Sequence, residues 1–185
     1  MAEEGHLIKA AIELAEALNR AADKNLPVKL AETVKIHAGI AVASAFIPIP
    51  GADMAAAGAN IWAMYVRINK ELNLPFAENI IKSLGAGVAT NLAGGAAAFL
   101  VAGSAAKFLP GLGSIAGAAL MGATIYGLTI ASGIVYMKAV SKLLEKKNVN
   151  EINEADLKSA TASEMADKDA LKELIKSLRK GYKAS

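Results

Sequence analysis

Between Lys82 and Lys138 the only charged residue is Lys107, and a Pro/Gly turn, Phe108-Leu109-Pro110-Gly111-Leu112-Gly113, divides this stretch. A charge-free run of that length hides its side chains in protein or in lipid, and the turn makes it double back. A helical hairpin is the expected outcome. A similar turn, Phe46-Ile47-Pro48-Ile49-Pro50-Gly51, stands earlier between two further Ala/Gly-rich runs. Set over one another, the turns align Pro48 with Pro110 and Gly51 with Gly113. Two hairpins in tandem are therefore expected, as a suggestive internal repeat.

The flanking segments are different. From Glu3 to Asp23, Leu7, Ile8, Ala11, Leu14, Ala15 and Leu18 recur at three- and four-residue steps among charged positions, which predicts an amphipathic helix. Pro27 ends it, because proline disfavours a helical conformation in the residue before it. A second helix is predicted from about Val28 to Phe46. The third follows the Pro48/Pro50 turn to about Asn73, with Asp53 at its positive end. Pro75 suits the first turn of a fourth helix, Phe76 to Phe108, where its missing N–H needs no partner. A fifth runs from Ser114 to Lys147. Its stretch Ile115 to Met137 is free of charge and richer in Ile, Leu, Met and Tyr than the fourth helix, making it the better spanning candidate. At Asn148 the composition turns charged, and Leu171, Leu174, Ile175 and Leu178 predict one apolar face on a last short helix. The expectation is an all-α bundle of two Ala/Gly-rich hairpins with amphipathic terminal helices, residues 1–147 forming the hairpin domain and 148–185 a charged helical extension.

Apolar residues make up 54 % of the chain but aromatics only 5 %, so small side chains dominate the interior. Small residues at four-residue spacing, Gly87, Asn91 and Gly95 in the fourth helix and Gly113 and Gly117 in the fifth, with Gly122 on the neighbouring row of Ala118 and Tyr126, are candidate helix-packing positions, within the chain or between copies of it. Trp62, Tyr65 and Arg67 lie near one end of the third helix, and Tyr136 and Lys138 near the end of the fifth; aromatics beside basic residues are expected at a membrane interface. The alternative is an ordinary amphipathic helix end. Asn60 and Asn91, in apolar runs, require hydrogen-bond partners across helices or a polar pocket.

Several classes of chemistry find no support. Cysteine is absent, which removes disulfides and thiolate chemistry. His6 and His37 have no second His or carboxylate at ligand spacing, so no metal or other cofactor is expected. His37 and Asp53 are not expected to pair across the first hairpin. Gly111-Leu112-Gly113 lacks the following Gly-Lys-Ser/Thr of a phosphate loop. The net charge of +3 resides partly in short basic clusters with no interleaved aromatics, against nucleic-acid binding. The acidic start, Met1-Ala2-Glu3-Glu4, is the reverse of a cleaved signal.

The stretch Ile47-Pro48-Ile49-Pro50-Gly51-Ala52-Asp53, with Lys107-Phe108-Leu109-Pro110-Gly111-Leu112-Gly113 far downstream, resembles the bacterial domain of unknown function that accompanies Era-like GTPases. The resemblance covers about Val34 to Lys142. It implies a helical, membrane-associated accessory domain without catalytic residues; with no GTPase domain in this chain, any GTPase would be a separate partner, and a stand-alone role is the alternative. Pro48, Pro50, Gly51, Asp53, Pro110, Gly111 and Gly113 carry over as structural or contact positions.

Together these readings predict a non-enzymatic protein on the cytoplasmic side of the inner membrane, peripheral or integral, that contacts lipid and self-associates as a homo-oligomer in membrane assembly, remodelling or permeabilisation. The runner-up is a soluble, cytoplasmic all-α interaction module that partners a GTPase or binds an apolar ligand.

Overall fold

The computed structural model describes residues 2–43, 52–95 and 113–166. These residues form an all-α bundle: α1 (Ala2–Asn25), α2 (Val28–Val42), α3 (Ala52–Glu71), α4 (Glu78–Gly95), α5 (Gly113–Leu144) and α6 (Glu154–Ala166), with a 3₁₀ turn at Val149–Glu151 before α6. The turn residues Pro48, Pro50, Gly51, Pro110 and Gly111, and the predicted helix around Leu171 to Leu178, lie outside the described residues.

Local chemistry explains the described breaks. Pro27 sits between α1 and α2, and its carbonyl accepts the Ala31 N–H at 2.9 Å, the first bond of α2. At the other end of the first hairpin, α3 stops in a Schellman motif: Leu74 N–H reaches the Asn69 carbonyl at 2.9 Å and Asn73 N–H the Lys70 carbonyl at 3.3 Å. Asn73 takes φ 52°, a left-handed conformation that asparagine tolerates better than most side chains. Beyond Asn148, reciprocal bonds between Asn153 and Asp156 cap the start of α6 (Asp156 N–H to Asn153 Oδ1, 3.0 Å; Asn153 N–H to Asp156 Oδ2, 3.1 Å).

Helix α5 is the axis of the bundle, touched by α1, α2, α3, α4 and α6. Among the described residues it contains the one segment long and apolar enough to cross a membrane, Met121–Leu144, and 83 % of its most apolar window is buried inside the protein. The better spanning candidate of the sequence is thus also the core helix. Its directions relative to its neighbours follow from side-chain pairs. Val34 of α2 meets Gly133 while Ala41 clusters with Met121 and Ile125, so α2 and α5 are antiparallel. Tyr65 and Asn69 of α3 meet Ser132 and Tyr136 in the same order, so α3 and α5 are parallel. Helix α1 reverses into α2 across Leu26-Pro27, with Asp23 paired to Lys35, and therefore runs parallel to α5. Helix α6 folds back on α5: Lys147 binds Asp156 at 2.8 Å, and Lys142 pairs with the buried Glu164 near the far end. Ile152 and Leu157 join the same core as Leu30, Ile68 and Ile134, so the described residues 149–166 pack into the bundle.

Candidate functional site

The directions of the helices set up a segregation of charge along the bundle. The chain leaves the described region at Ala43 and Gly95 and re-enters it at Ala52 and Gly113, all at one end, where Ala41, Ala57, Met121 and Ile125 form a small apolar cluster of their own. In α2 no charge follows Lys35; in α3 none lies between Asp53 and Arg67; in α4 none follows Lys82; in α5 none precedes Lys138. Apart from Asp53, every charge of α2 to α5 therefore lies in the opposite half. The outward positions of the charge-free half are Ile36, Gly39 and Ile40 on α2, Ala55, Ala59 and Ala63 on α3, and Ala86, Gly87, Thr90 and Asn91 on α4. Ile36 and Ile40 are 49 % and 55 % exposed, large side chains that water does not favour. From Met54 to Val66 the charge-free part of α3 rises about 20 Å, and Ser83 to Gly95 of α4 about the same. One leaflet of a bilayer has a hydrocarbon depth of about 15 Å, half of the ~30 Å core.

At the inner edge of this zone, polar side chains are paired inside the bundle. The Tyr65 and Tyr136 rings stack with centroids 4.2 Å apart and planes 15° apart. The Tyr65 hydroxyl donates to the Ser132 carbonyl at 3.0 Å, and the Tyr136 hydroxyl lies between the two amide atoms of Asn69, accepting from Nδ2 at 2.6 Å and donating to Oδ1 at 2.8 Å. Burial pushes both phenols well above their usual range and keeps them neutral. These two tyrosines, expected at a membrane interface, are both fully buried and clamp α3 to α5 instead. Their helical rotation turns them inward. Trp62 is half-buried, with the Lys82 ammonium 5.4 Å from its ring centroid and its own Nε1 buried without a partner among the described residues. Arg67 is exposed and binds Glu71 at 3.1 Å, while Lys138 is half-buried on α5.

The predicted packing positions are distributed unevenly. Gly87 is exposed and nothing lies within 4 Å of the position a Cβ would occupy. Asn91 is exposed and donates to the Gly87 carbonyl one turn earlier at 2.8 Å. Gly122 is buried in α5; Gly117 lies in the first turns of α5, Gly95 ends α4, Gly113 begins α5 and Asp53 stands in the first turn of α3. Two glycines that spacing alone did not single out make close approaches. A Cβ on Gly133 would sit 2.6 Å from Val34 Cγ2, and one on Gly85 3.3 Å from Trp62 Cα.

Asn60 does find a partner across helices, and it is His37. Its Nδ2 donates to the His37 carbonyl at 2.7 Å, so its Oδ1 is the acceptor for His37 Nδ1 at 3.0 Å, and the imidazole proton is on Nδ1. The pair joins α2 to α3 inside the charge-free half, two residues beyond Lys35 on α2 and midway along the charge-free stretch of α3. No group of three metal-ligating side chains exists among the described residues. Neither a family model, nor a curated protein, nor a solved structure matches the chain.

Proposed function

We propose that the bundle is a non-enzymatic membrane-association module that docks its charge-free end in the cytoplasmic leaflet of the inner membrane and acts there through self-association, in assembly, remodelling or permeabilisation. The observation that carries this reading is the division of charge along α2 to α5, which puts mainly Ala, Gly and Ile, with the uncharged Thr90 and Asn91, on the outside of one half and Lys, Arg and Glu on the other. A surface of that kind favours apolar over aqueous surroundings. Its depth of about 20 Å suits one leaflet better than a full crossing. Lys35, Arg67, Lys70, Lys82 and Lys138 follow the charge-free zone along the helices, where anionic headgroups add about 1 kcal/mol for each basic residue near the surface. Small outward residues such as Ala59, Ala63 and Gly87 suit close contact between copies within the bilayer. A separate GTPase remains a proposed partner.

A second reading, a soluble all-α interaction module, is favoured by the burial of α5: its apolar surface is already covered by five other helices and needs no lipid. Fractionation of untagged protein from cells separates the two. The membrane reading expects recovery in the membrane pellet and retention through a high-salt wash, because an apolar contact is not screened by salt. Recovery in the soluble fraction overturns it in favour of the interaction module. An alkaline carbonate wash then distinguishes peripheral docking, which releases, from an integral hairpin, which stays.

A further inference from the structure

The charge-free half does not present the same surface on every side. Helix α3 has a neighbour on each flank: His37–Asn60 and Thr33–Glu71 join it to α2, and on α4 a Cβ at Gly85 would lie 3.3 Å from Trp62 Cα. Helices α2, α3 and α4 therefore form one layer. Tyr65 of α3 turns inward to Tyr136 of α5, while Ala55, Ala59, Ala63 and Arg67 are exposed at four-residue steps, so α5 lies behind the layer. Helix α1 touches α5 and α2, and α6 touches α5 and α4. The exposed surface of α1 is charged, with Lys9, Glu13, Glu16 and Arg20. Glu16 and Arg20 flank Asn19, which accepts a hydrogen bond from Tyr126 in the charge-free part of α5.

Along the layer the charges come in a fixed order. Starting from the charge-free end, and Asp53 apart, the first charge is Lys35 on α2, Arg67 on α3 and Lys82 on α4. The first acids, Glu32, Glu71 and Glu78, each follow about one turn later. The heights of the three bases agree. His37 is opposite Asn60 and Gly85 is opposite Trp62, so at a rise of about 1.5 Å per residue the Cα atoms of Lys35, Arg67 and Lys82 fall within about 8 Å of one another along the bundle. Lys35 is paired with Asp23 and Arg67 with Glu71. The Lys82 ammonium has the Trp62 ring instead, 5.4 Å from its centroid, and no acidic partner among the described residues.

We propose that the bundle docks tilted, with the outer face of α2, α3 and α4 on the bilayer and α1 turned to water, and that Lys35, Arg67 and Lys82 bind the phosphates of anionic phospholipids, Lys82 foremost. This rests on the membrane reading above and adds to it a side and a lipid class. Ile36, Ile40, Ala59 and Ala63 then meet the acyl chains, the three bases reach the phosphate plane on flexible stems, and the acids stand about a turn farther from the hydrocarbon. Docking end-on would instead carry Glu16 and Arg20 of α1 to the depth of the charge-free half, which is costly for charged side chains.

The test uses the full-length chain, which has no cysteine of its own, with vesicles of phosphatidylcholine alone or mixed with phosphatidylglycerol. An environment-sensitive thiol label is attached in Ala63→Cys on α3 or Glu16→Cys on α1. On the mixed vesicles the label at Ala63→Cys is expected to shift to the blue and the one at Glu16→Cys to stay as in water. Lys82→Gln is expected to weaken binding to the mixed vesicles about fivefold and to leave binding to phosphatidylcholine alone unchanged. Lys158→Gln, which removes the same charge from an exposed position on α6, is expected to bind as wild type does. A shift at Glu16→Cys, no shift at Ala63→Cys, or equal losses in the two lysine variants overturns the proposal and leaves the membrane reading standing. Wild-type protein that binds neither vesicle overturns both.

Discussion

Gly133 of α5 faces Val34 of α2 so closely that a Cβ at Gly133 would lie 2.6 Å and 2.9 Å from the two Val34 methyls. Both methyls are attached to a stiff β-branched side chain that is itself fully buried. Replacing Gly133 by Ala therefore sets a helix-propensity gain of up to about 1 kcal/mol against an overpacking cost of about 1–3 kcal/mol. The cost prevails, and Gly133→Ala is expected to lower stability in chemical denaturation. Adding Val34→Ala makes room, so the double variant is expected to be more stable than the sum of the two single effects. Strict additivity would show that the helices do not touch there.

The tyrosine pair makes a second prediction. Tyr136→Phe keeps the ring stacked on Tyr65 but removes the hydroxyl that bonds both amide atoms of Asn69. Asn69 Nδ2 retains the Tyr65 carbonyl at 2.7 Å, while its Oδ1 loses the hydroxyl that donates to it. A loss of about 1–3 kcal/mol is expected on thermal or denaturant unfolding. Removing both polar groups, in Asn69→Leu with Tyr136→Phe, is expected to cost less than the sum.

What could be read in advance and what could not divides along a physical line. Breaks set by a single residue were legible: Pro27 and Pro75 stand where the helices part, because a proline acts on its own backbone and its neighbour's, although Pro75 lies in the link before α4 begins at Glu78 and not in its first turn. Which face of a helix meets which neighbour was not legible, since that depends on rotation set by the whole core. Gly133, which does pack closely, was not among the small residues that spacing singled out, and Tyr65 and Tyr136, next to Arg67 and Lys138, looked like interfacial aromatics. Helix α6 had a different problem: its buried positions are Leu157, Thr161 and Glu164, so no apolar stripe announces it. A signal was present in Asn153-Glu154-Ala155-Asp156, the spacing of a reciprocal cap. The charge-free stretches were plain in the sequence, but only the antiparallel course of α2 and α5 brings them to one end.

That cap has a pH dependence. The hydrogen bond from Lys147, then that from the Asn153 backbone, holds the Asp156 carboxyl below its usual value of 3.8. A folded-state value below the unfolded one stabilises α6 above the unfolded value and is lost as pH falls through the folded value. Acidification below 3.8 is therefore expected to speed hydrogen exchange at the start of α6. Asp156→Asn, which keeps an oxygen but no titrating charge, is expected to flatten that response. An unchanged acid profile in the variant would remove Asp156 as its origin.

The charge-free end predicts the effect of breaking it. Ala59 is exposed on α3, midway along the charge-free stretch from Met54 to Val66, and its replacement by Glu meets no buried neighbour. The fold is expected to persist, with unfolding shifted by less than about 0.5 kcal/mol. At a lipid contact the same carboxylate is costly: an acidic side chain at the centre of a membrane helix costs about 2.5–3.5 kcal/mol, and anionic headgroups repel it further. Ala59→Glu is thus expected to lose at least about tenfold in vesicle binding, which corresponds to about 1.4 kcal/mol. Ser141→Lys, exposed near Lys138 and Lys142 in the charged half, is the matched control and is expected to bind as well as wild type or better. Full binding by Ala59→Glu would mean that α3 does not face lipid, and an equal loss in both variants would point to net charge instead of the site where it is placed.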